Sequence, residues 1–228
     1  MMKTLCVAVV VLSLTSVCQA ASLACEQLLK PVDKDISGRW YLIAMSSNAC
    51  IFKGFLNAFL WPSFAMDIIA TDTSNIYDAN FRFGMYGICQ NSSAFFYQNG
   101  STFDNNDRKE KLFGLLQSGC PDCLVTKAGD VYYILLLWSK RKNVTAAEMK
   151  EFETQTNCLG GDKPEVLKTY EGNENCTHEG DLDFDNPEIW SMHSQRLNNM
   201  LHQCFTDTVN YYYSSVKDWV QNTWNDLW

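Results

Sequence analysis

Beyond its first twenty residues, the chain has no hydrophobic run that approaches the roughly 20 apolar residues needed for a membrane-spanning helix. The first twenty residues have the pattern of a secretion signal. Lys3 gives a positive start, the apolar run LCVAVVVLSL follows, and the small residues of VCQA precede a cleavage site after Ala20. The sequence therefore predicts that residues 1–20 are removed and that the remaining 208 residues are soluble and secreted.

Positive charge is scarce as well. Without Lys3, 17 basic residues stand against 26 acidic ones, a formal charge of −9, and no Lys/Arg cluster is longer than the one at 140–142. An acidic surface repels phosphate backbones and anionic headgroups. We therefore expect no nucleic-acid partner.

Residues suited to catalysis are also few. The three histidines, at 178, 193 and 202, all lie in the C-terminal tail, and the acidic residues cluster in turns and in that tail. Neither a Ser/His/Asp order, nor a glycine-rich phosphate loop, nor a pair of carboxylates suited to acid–base work stands out. These absences argue against an enzyme, and no cofactor is expected.

Cysteines and glycosylation sequons are plentiful instead. Eight cysteines remain beyond residue 20, and an even set in an oxidising compartment predicts disulfide bonds. Four Asn-x-Ser/Thr sequons, at Asn91, Asn99, Asn143 and Asn175, fit the same compartment. The sequence is therefore typical of a secreted glycoprotein.

The Cys120-x-x-Cys123 pair lacks the second Cys or His pair that a zinc site would need, so we expect no metal there.

Between residues 39 and 139, short apolar or alternating runs recur at a spacing of roughly 8–12 residues, which is typical of a β-sandwich or barrel. The candidate strands are 39–46, 64–71, 78–86, 88–98, 109–117, 122–127 and 131–139. The connection 50–64, CIFKGFLNAFLWPSF, is apolar where a turn should be polar. Two interpretations stay open: a loop or short helix buried in the core, or a lid that presents Phe52, Phe55, Leu60 and Trp61 to an apolar ligand.

Two helices are predicted after the strands. The segment 143–160 has good helix formers and ends at the glycine pair 160–161. A polar, acidic stretch follows, and 187–228 has an amphipathic pattern that begins after a potential cap at Asn186. Because the polar face of this last helix is acidic, we favour packing on the barrel or on a second copy, as a homodimer, over a lipoprotein surface.

The expected domain organisation is a signal at 1–20, a barrel with its flanking helix at 21–178, and an extension at 179–228.

The order of strands, helix and closing cysteine, introduced by Gly38-x-Trp40, resembles the lipocalin family. Four segments are similar to the branch that contains alpha-1-acid glycoprotein (orosomucoid), apolipoprotein M and the saxitoxin- and tetrodotoxin-binding lipocalins of fish: ACEQLLKPV, TAAEMKEFETQTNCLG, ICQNSSAFF and SGCPDCLV. The resemblance covers about residues 25–178. It implies a mainly β fold, an eight-stranded antiparallel up-and-down barrel with a helix packed outside, to which the additional C-terminal amphipathic helix is attached.

The resemblance also implies a cysteine framework. Cys25 is expected to join Cys158, and Cys89 to join Cys176. Two arrangements stay open for the other four cysteines: Cys120–Cys123 together with Cys50–Cys204, or Cys50 bridged into the CPDC turn with Cys204 free. In lipocalins a basic residue closes over the first tryptophan, and its candidates here are Lys140, Arg141 and Lys142.

Strand alternation, anchored by a solvent-facing Asn91, predicts which side chains point into the barrel. Trp40, Leu42 and Ala44 share the inner face of the first strand. On the last strand the resemblance, rather than alternation, implies Tyr132, Ile134, Leu136 and Trp138, and Trp61 comes from the lid interpretation of 50–64. The expected ligand-binding set is apolar and aromatic: Trp40, Leu42, Trp61, Met66, Ile68, Phe81, Phe83, Phe96, Tyr132, Ile134, Leu136 and Trp138.

The resemblance and this set favour a secreted carrier of small lipophilic molecules. Ile134 stands where apolipoprotein M carries a basic residue, which disfavours a phosphate-bearing lipid. No inward carboxylate is expected for a guanidinium toxin. The alternatives are an immune-modulating or structural plasma glycoprotein with a filled barrel, or a toxin-binding or lipoprotein-associated carrier.

Overall fold

The computed structural model describes residues 24–49, 63–85, 88–105, 111–167 and 178–179, and single positions of a helical stretch between 187 and 206. Eight strands form the main body: β1 Gly38–Ser47, β2 Ser63–Ala70, β3 Ile76–Met85, β4 Ile88–Asn99, β5 Thr102–Asn105, β6 Lys111–Leu116, β7 Cys123–Ala128 and β8 Ile134–Ser139. Helix α1, Ala146–Cys158, follows, and then two short strands, β9 Glu165–Val166 and β10 His178–Glu179.

The eight strands close into a barrel. Each pairs with the next in antiparallel fashion, and β1 also pairs with β8, so the main sheet has no free edge between its first and last strands. The predicted eight-stranded up-and-down barrel is therefore confirmed. The strand β5 was not among the candidate strands, because its four residues lie in a polar stretch that is typical of a turn and only Phe103 faces the core.

A bulge in β1 changes which residues face inward. The register with β8 shifts between Leu42 and Ala44. Leu42 and Met45 both belong to the interior cluster, whereas Ala44 packs outside the barrel, in the cluster that contains Phe152 of α1. The expectation that Ala44 continues the inner face is therefore wrong, because the bulge inserts one residue and reverses the alternation.

Part of the barrel wall comes from the chain after α1. The β1–β2 pairing ends at Tyr41, and further along β1 the strand β9 pairs with Ala44 and Met45 instead. Just beyond β9, the Leu167 N–H donates to the Ile43 carbonyl at 2.8 Å, and the Leu167 side chain joins the interior cluster. The segment after the helix thus continues the wall where β2 leaves β1.

Helix α1 begins with a reciprocal cap. The Thr145 hydroxyl accepts from the Glu148 N–H at 3.3 Å, and the Glu148 carboxylate accepts from the Thr145 N–H at 2.7 Å. The hydrogen bond from the Thr145 backbone and that from Arg141 hold the pKa of Glu148 below its ordinary value. The buried Phe152 packs the helix on the barrel's outer surface, and Gly160, at φ +70°, follows its end.

The described disulfides agree with the arrangement that pairs Cys120 with Cys123. Cys25 is bonded to Cys158, as the resemblance implies, and Cys120 to Cys123. Cys204 is disulfide-bonded, so the arrangement that leaves it free is wrong. Cys50 and Cys176 lie outside the described residues, but β10 pairs in parallel with β4 at Ile88 and Cys89, two residues after position 176.

The C-terminal extension contains a helix, as predicted. Its described positions between 187 and 206 are helical, and 207–228 lie outside the described residues. Within the described part of the chain, no helix is both long and apolar enough to cross a bilayer.

The two described disulfides should contribute unequally to stability. Cys25–Cys158 spans a separation of 133 residues and Cys120–Cys123 a separation of three. The loop-entropy relation gives about 5 kcal/mol for the first and about 2 kcal/mol for the second. We therefore expect Cys25→Ala/Cys158→Ala to lower the free energy of unfolding more than Cys120→Ala/Cys123→Ala, as measured by urea denaturation. An equal loss, or a larger loss for the short loop, would contradict this assignment.

Candidate functional site

Trp40 lies at one end of the barrel and is 1% exposed. Its indole N–H donates to the carbonyl of Ile36 at 2.6 Å. The ammonium of Lys140 lies 4.9 Å from the centre of the ring, a cation–π distance, so Lys140 is the covering residue among the three candidates. Arg141 is held elsewhere, 2.6 Å from the Glu148 carboxylate.

Gly38 makes this arrangement possible. Its φ is +120°, in the region that favours glycine, and a Cβ there would lie 3.2 Å from Nζ and 3.3 Å from Cε of Lys140. Any larger residue would strain the backbone and press on the side chain that covers the indole. The Gly38-x-Trp40 motif therefore serves the contact between Lys140 and Trp40.

The segment before β1 closes the same end of the barrel. The Val32 N–H donates to the Leu115 carbonyl at 3.1 Å, and the Ile36 side chain enters the interior cluster. Asp35 accepts hydrogen bonds from the side chain and backbone of Ser37, and these bonds lower the pKa of Asp35. The segment is thus fixed at several points across the floor of the barrel.

A polar network completes the floor. The Tyr77 hydroxyl donates to the Gln98 side-chain oxygen at 2.8 Å, and the Gln98 amide donates to Asp33 at 2.7 Å. Burial, followed by the nearby charge of Asp35, raises the pKa of Tyr77. These three polar groups of the floor therefore satisfy one another, as buried polar groups generally do.

Above the floor, aromatic rings contact one another around the interior. Successive ring centres lie 4.9–6.0 Å apart, within the range of favourable aromatic pairs. In order of contact the rings are Trp138, Phe64, Phe81, Phe96, Phe113, Phe103 and Tyr77.

A cavity of about 110 Å³ remains inside the barrel. Its lining is apolar except for one hydroxyl: Ile36, Met66, Ile68, Leu112, Phe113, Leu115, Leu124, Thr126, Ala128, Leu136 and Trp138. The Thr126 hydroxyl accepts from the Trp138 indole N–H at 3.0 Å. None of the described lining residues carries a charge, so the described part of this site is suited to apolar groups.

The structure brings most of the expected wall residues to the interior. Trp40, Leu42, Met66, Ile68, Phe96 and Trp138 are buried in the interior cluster, and Phe81 and Leu136 pack against it. Ile134 is half-buried at the start of β8. Trp61 lies outside the described residues, and of Phe83 only the backbone pairing in β3 is described.

Tyr132 is placed differently from the expectation, since it is 66% exposed and precedes β8. The cause lies in the neighbouring backbone. The Tyr133 N–H donates to the Asn48 side chain at 2.9 Å, and the Ser47 hydroxyl donates to the Tyr133 carbonyl at 2.6 Å. These bonds hold the turn so that β8 begins at Ile134, and Tyr132 is therefore not a wall residue.

Several further residues face the interior that the expected set does not include. They are Ile36, Met45, Phe64, Phe103, Phe113, Leu115, Leu124, Thr126 and Leu167. Alternation within KLFGLL would have indicated Phe113 and Leu115. Ile36 and Leu167 lie outside the main strands, where no periodic pattern marks an inward residue.

The described sequon asparagines are all accessible. Asn91 is exposed on β4, Asn99 at the end of β4 and Asn143 before α1, whereas Asn175 lies outside the described residues. Modification at the three described positions is therefore compatible with the fold.

Comparison with known protein families matches residues 9–180 of the chain to the ApoM domain. That match covers most of the chain and includes all eight barrel strands and α1. The chain belongs to the ApoM family of lipocalins. Members of this family are carrier proteins, and the family and fold together suggest a carrier of lipophilic ligands.

Other comparisons add little to the family match. The solved structure of a siderocalin, Ex-FABP, described as functioning through dual ligand specificities, is 15% identical. The match covers 60% of this chain and 95% of that chain, at a TM-score of 0.49. No curated protein sequence matches the chain.

If Gly38 is needed for its positive φ and for the space that Lys140 occupies, Gly38→Ala should lower the free energy of unfolding by about 1–3 kcal/mol, the usual cost of a strained backbone. Gly100→Ala is the control, because Gly100 also has positive φ, +60°, but an added Cβ meets nothing within 4 Å. The loss should be larger at Gly38 and should shrink in a Lys140→Ala background. Equal losses at the two glycines, unaffected by Lys140→Ala, would refute the role of Gly38, with urea unfolding as the measurement.

Proposed function

We propose that this protein is a secreted carrier that holds small lipophilic molecules inside its barrel. The observation that carries the proposal is the cavity, whose described lining is apolar apart from a hydroxyl that already accepts a hydrogen bond. Moving apolar surface out of water contributes about 25 cal/mol per Å², which is sufficient to drive uptake without a charged contact.

The size of the cavity restricts the ligand. About 110 Å³ is well below the roughly 300–1,000 Å³ of sites that enclose drug-sized molecules. The part of the ligand that enters is therefore slender, as an alkyl chain is, rather than a fused ring system. It is also uncharged, because a charge buried without a partner is costly.

Secretion and glycosylation are part of the same proposal. Disulfides persist in oxidising compartments, and the structure contains Cys25–Cys158 and Cys120–Cys123. The exposed sequons Asn91, Asn99 and Asn143 and the N-terminal signal pattern support the secretory route. Within this route the exposed Trp190 and Phe205 of the C-terminal helix are the residues suited to contact a lipoprotein surface.

One observation favours a second candidate function. The aromatic rings from Trp138 to Tyr77 occupy much of the interior. A barrel filled in this way would serve as a structural or immune-modulating glycoprotein without a ligand. A guanidinium toxin is not favoured, because none of the residues that line the described cavity is acidic.

The carrier proposal predicts that filling the cavity abolishes uptake of a slender apolar probe. Ile68 is 3% exposed and lines the cavity, whereas the next residue, Ile69, is 59% exposed. We expect Ile68→Trp to weaken the binding of 1-decanol at least tenfold in isothermal titration calorimetry, because the indole occupies the void. The matched control Ile69→Trp should bind 1-decanol as the native protein does.

The outcome separates the two candidate functions. Native protein that binds no 1-decanol would support the filled barrel and refute the carrier. Binding that survives Ile68→Trp, in a variant whose circular dichroism and melting show it to be folded, would refute this cavity as the site.

The uncharged lining predicts a second result. Decyl phosphate should bind no more tightly than 1-decanol, and the affinity for 1-decanol should not change with salt, because no described lining residue is a cation. Tighter binding of decyl phosphate that weakens steeply with salt would show instead that the site recognises an anionic headgroup.

A further inference from the structure

A second concave site lies on the outside of the barrel, across β2, β3 and β4. It has a volume of about 340 Å³, and its lining includes Asp67, Asn80, Arg82, Asn91 and Ser93. In contrast to the cavity, this groove offers charged groups, amides and hydroxyls. Its size is at the lower end for sites that hold a small molecule.

The strand register sets the order of these groups. Asp67 is paired with Asn80, and Asn80 with Ser93, so these three residues form one row across the outer face. Arg82 is paired directly with Asn91 in the next row. Directly opposite residues have Cβ atoms about 5 Å apart, so the Arg82 and Asn91 side chains are neighbours.

The groups in the groove have hydrogen-bonding capacity left over. The Asp67 carboxylate accepts two bonds from Arg39, both at 2.7 Å, and a carboxylate has about four acceptor positions. Among the described residues, Arg82, Asn80 and Ser93 make no side-chain hydrogen bond. The guanidinium of Arg82 therefore presents its donors to whatever occupies the groove.

We propose that the groove holds the first sugar of an N-linked glycan on Asn91. The attachment point is itself part of the lining, since Asn91-Ser92-Ser93 is a sequon and Asn91 is exposed. An N-acetylated sugar offers what the groove can bind: a carbonyl and hydroxyl oxygens that accept from Arg82, and hydroxyl groups that donate to Asp67. Covalent attachment keeps the sugar at a high local concentration, so weak hydrogen bonds are sufficient to hold it.

A glycan held in this way would cover apolar surface. Phe95 lies on the same face of β4, four residues beyond Asn91, and it is exposed, as is Ile69 on β2. Four residues of strand are about 13 Å, within reach of an extended glycan core. The glycan would thus shield an exposed apolar part of the barrel wall.

The inference rests on the secretory route of the proposed function and not on the ligand in the cavity. The test uses the full chain secreted from cultured cells with one sequon kept. One form keeps Asn91 and carries Asn99→Gln, Asn143→Gln and Asn175→Gln. The other keeps Asn99 and carries Asn91→Gln, Asn143→Gln and Asn175→Gln. The rate at which peptide-N-glycosidase F releases the glycan from folded protein is compared with the rate from denatured protein.

We expect release from folded protein to be about tenfold slower at Asn91 than at Asn99, the effect of retaining one hydrogen bond to a charged group. Arg82→Ala should raise the Asn91 rate to that of Asn99. Lys150→Ala removes an exposed cation on α1 and should leave the rate unchanged.

Equal rates at Asn91 and Asn99, or slow release that persists in Arg82→Ala, would overturn the inference. So would a mass spectrum showing Asn91 unmodified in protein that carries glycans at the other sequons. A chain without a glycan at any sequon would contradict the secretory route as well. Uptake of 1-decanol is measured on the same samples, so a failure of the carrier proposal is recognised separately.

Discussion

The closed end of the barrel depends on the contact between the Lys140 side chain and the indole of Trp40. The contact connects three separate parts of the chain. Lys140 follows the end of β8, Gly38 begins β1, and the segment before β1 supplies the Ile36 carbonyl that accepts from the indole. These contacts depend on one another. Gly38 leaves the space that the Lys140 side chain occupies, and the indole of Trp40 fixes the segment before β1 by its hydrogen bond to Ile36. The floor is therefore sealed by residues that are far apart in sequence.

The sealed floor is what allows the interior to be apolar. Polar groups at this end pair with one another, as Tyr77, Gln98 and Asp33 do, and none of them lines the cavity. Above them the aromatic rings fill part of the space, and the lining of the described cavity has a single, already paired hydroxyl. A carrier needs this separation, because an unpaired polar group beside the ligand would favour water over an apolar molecule. The same wall presents its polar residues outside, where Asp67 and Arg82 line the groove beside Asn91.

The sequence was sufficient for the parts of the fold that depend on local pattern. Strand alternation and the lipocalin resemblance indicated the barrel, the helix outside it and the inward positions of Met66, Ile68 and Trp138. It was not sufficient where a distant contact overrides the pattern. The bulge after Leu42 turns Ala44 outward, and bonds from Asn48 and Ser47 place Tyr132 in an exposed turn. Ile36 and Leu167 reach the interior from segments that have no period, so no local signal marks them.

The central claim is that the interior of this barrel holds an uncharged, slender lipophilic molecule. Native mass spectrometry of the full chain, secreted from cultured cells and purified without detergent, tests it most directly. The account predicts a population whose mass exceeds that of the glycosylated protein by one small molecule, which is lost on denaturation and identified as uncharged and lipophilic. Protein that is found only at its ligand-free mass, and that gains no mass when 1-decanol is added, would contradict the account.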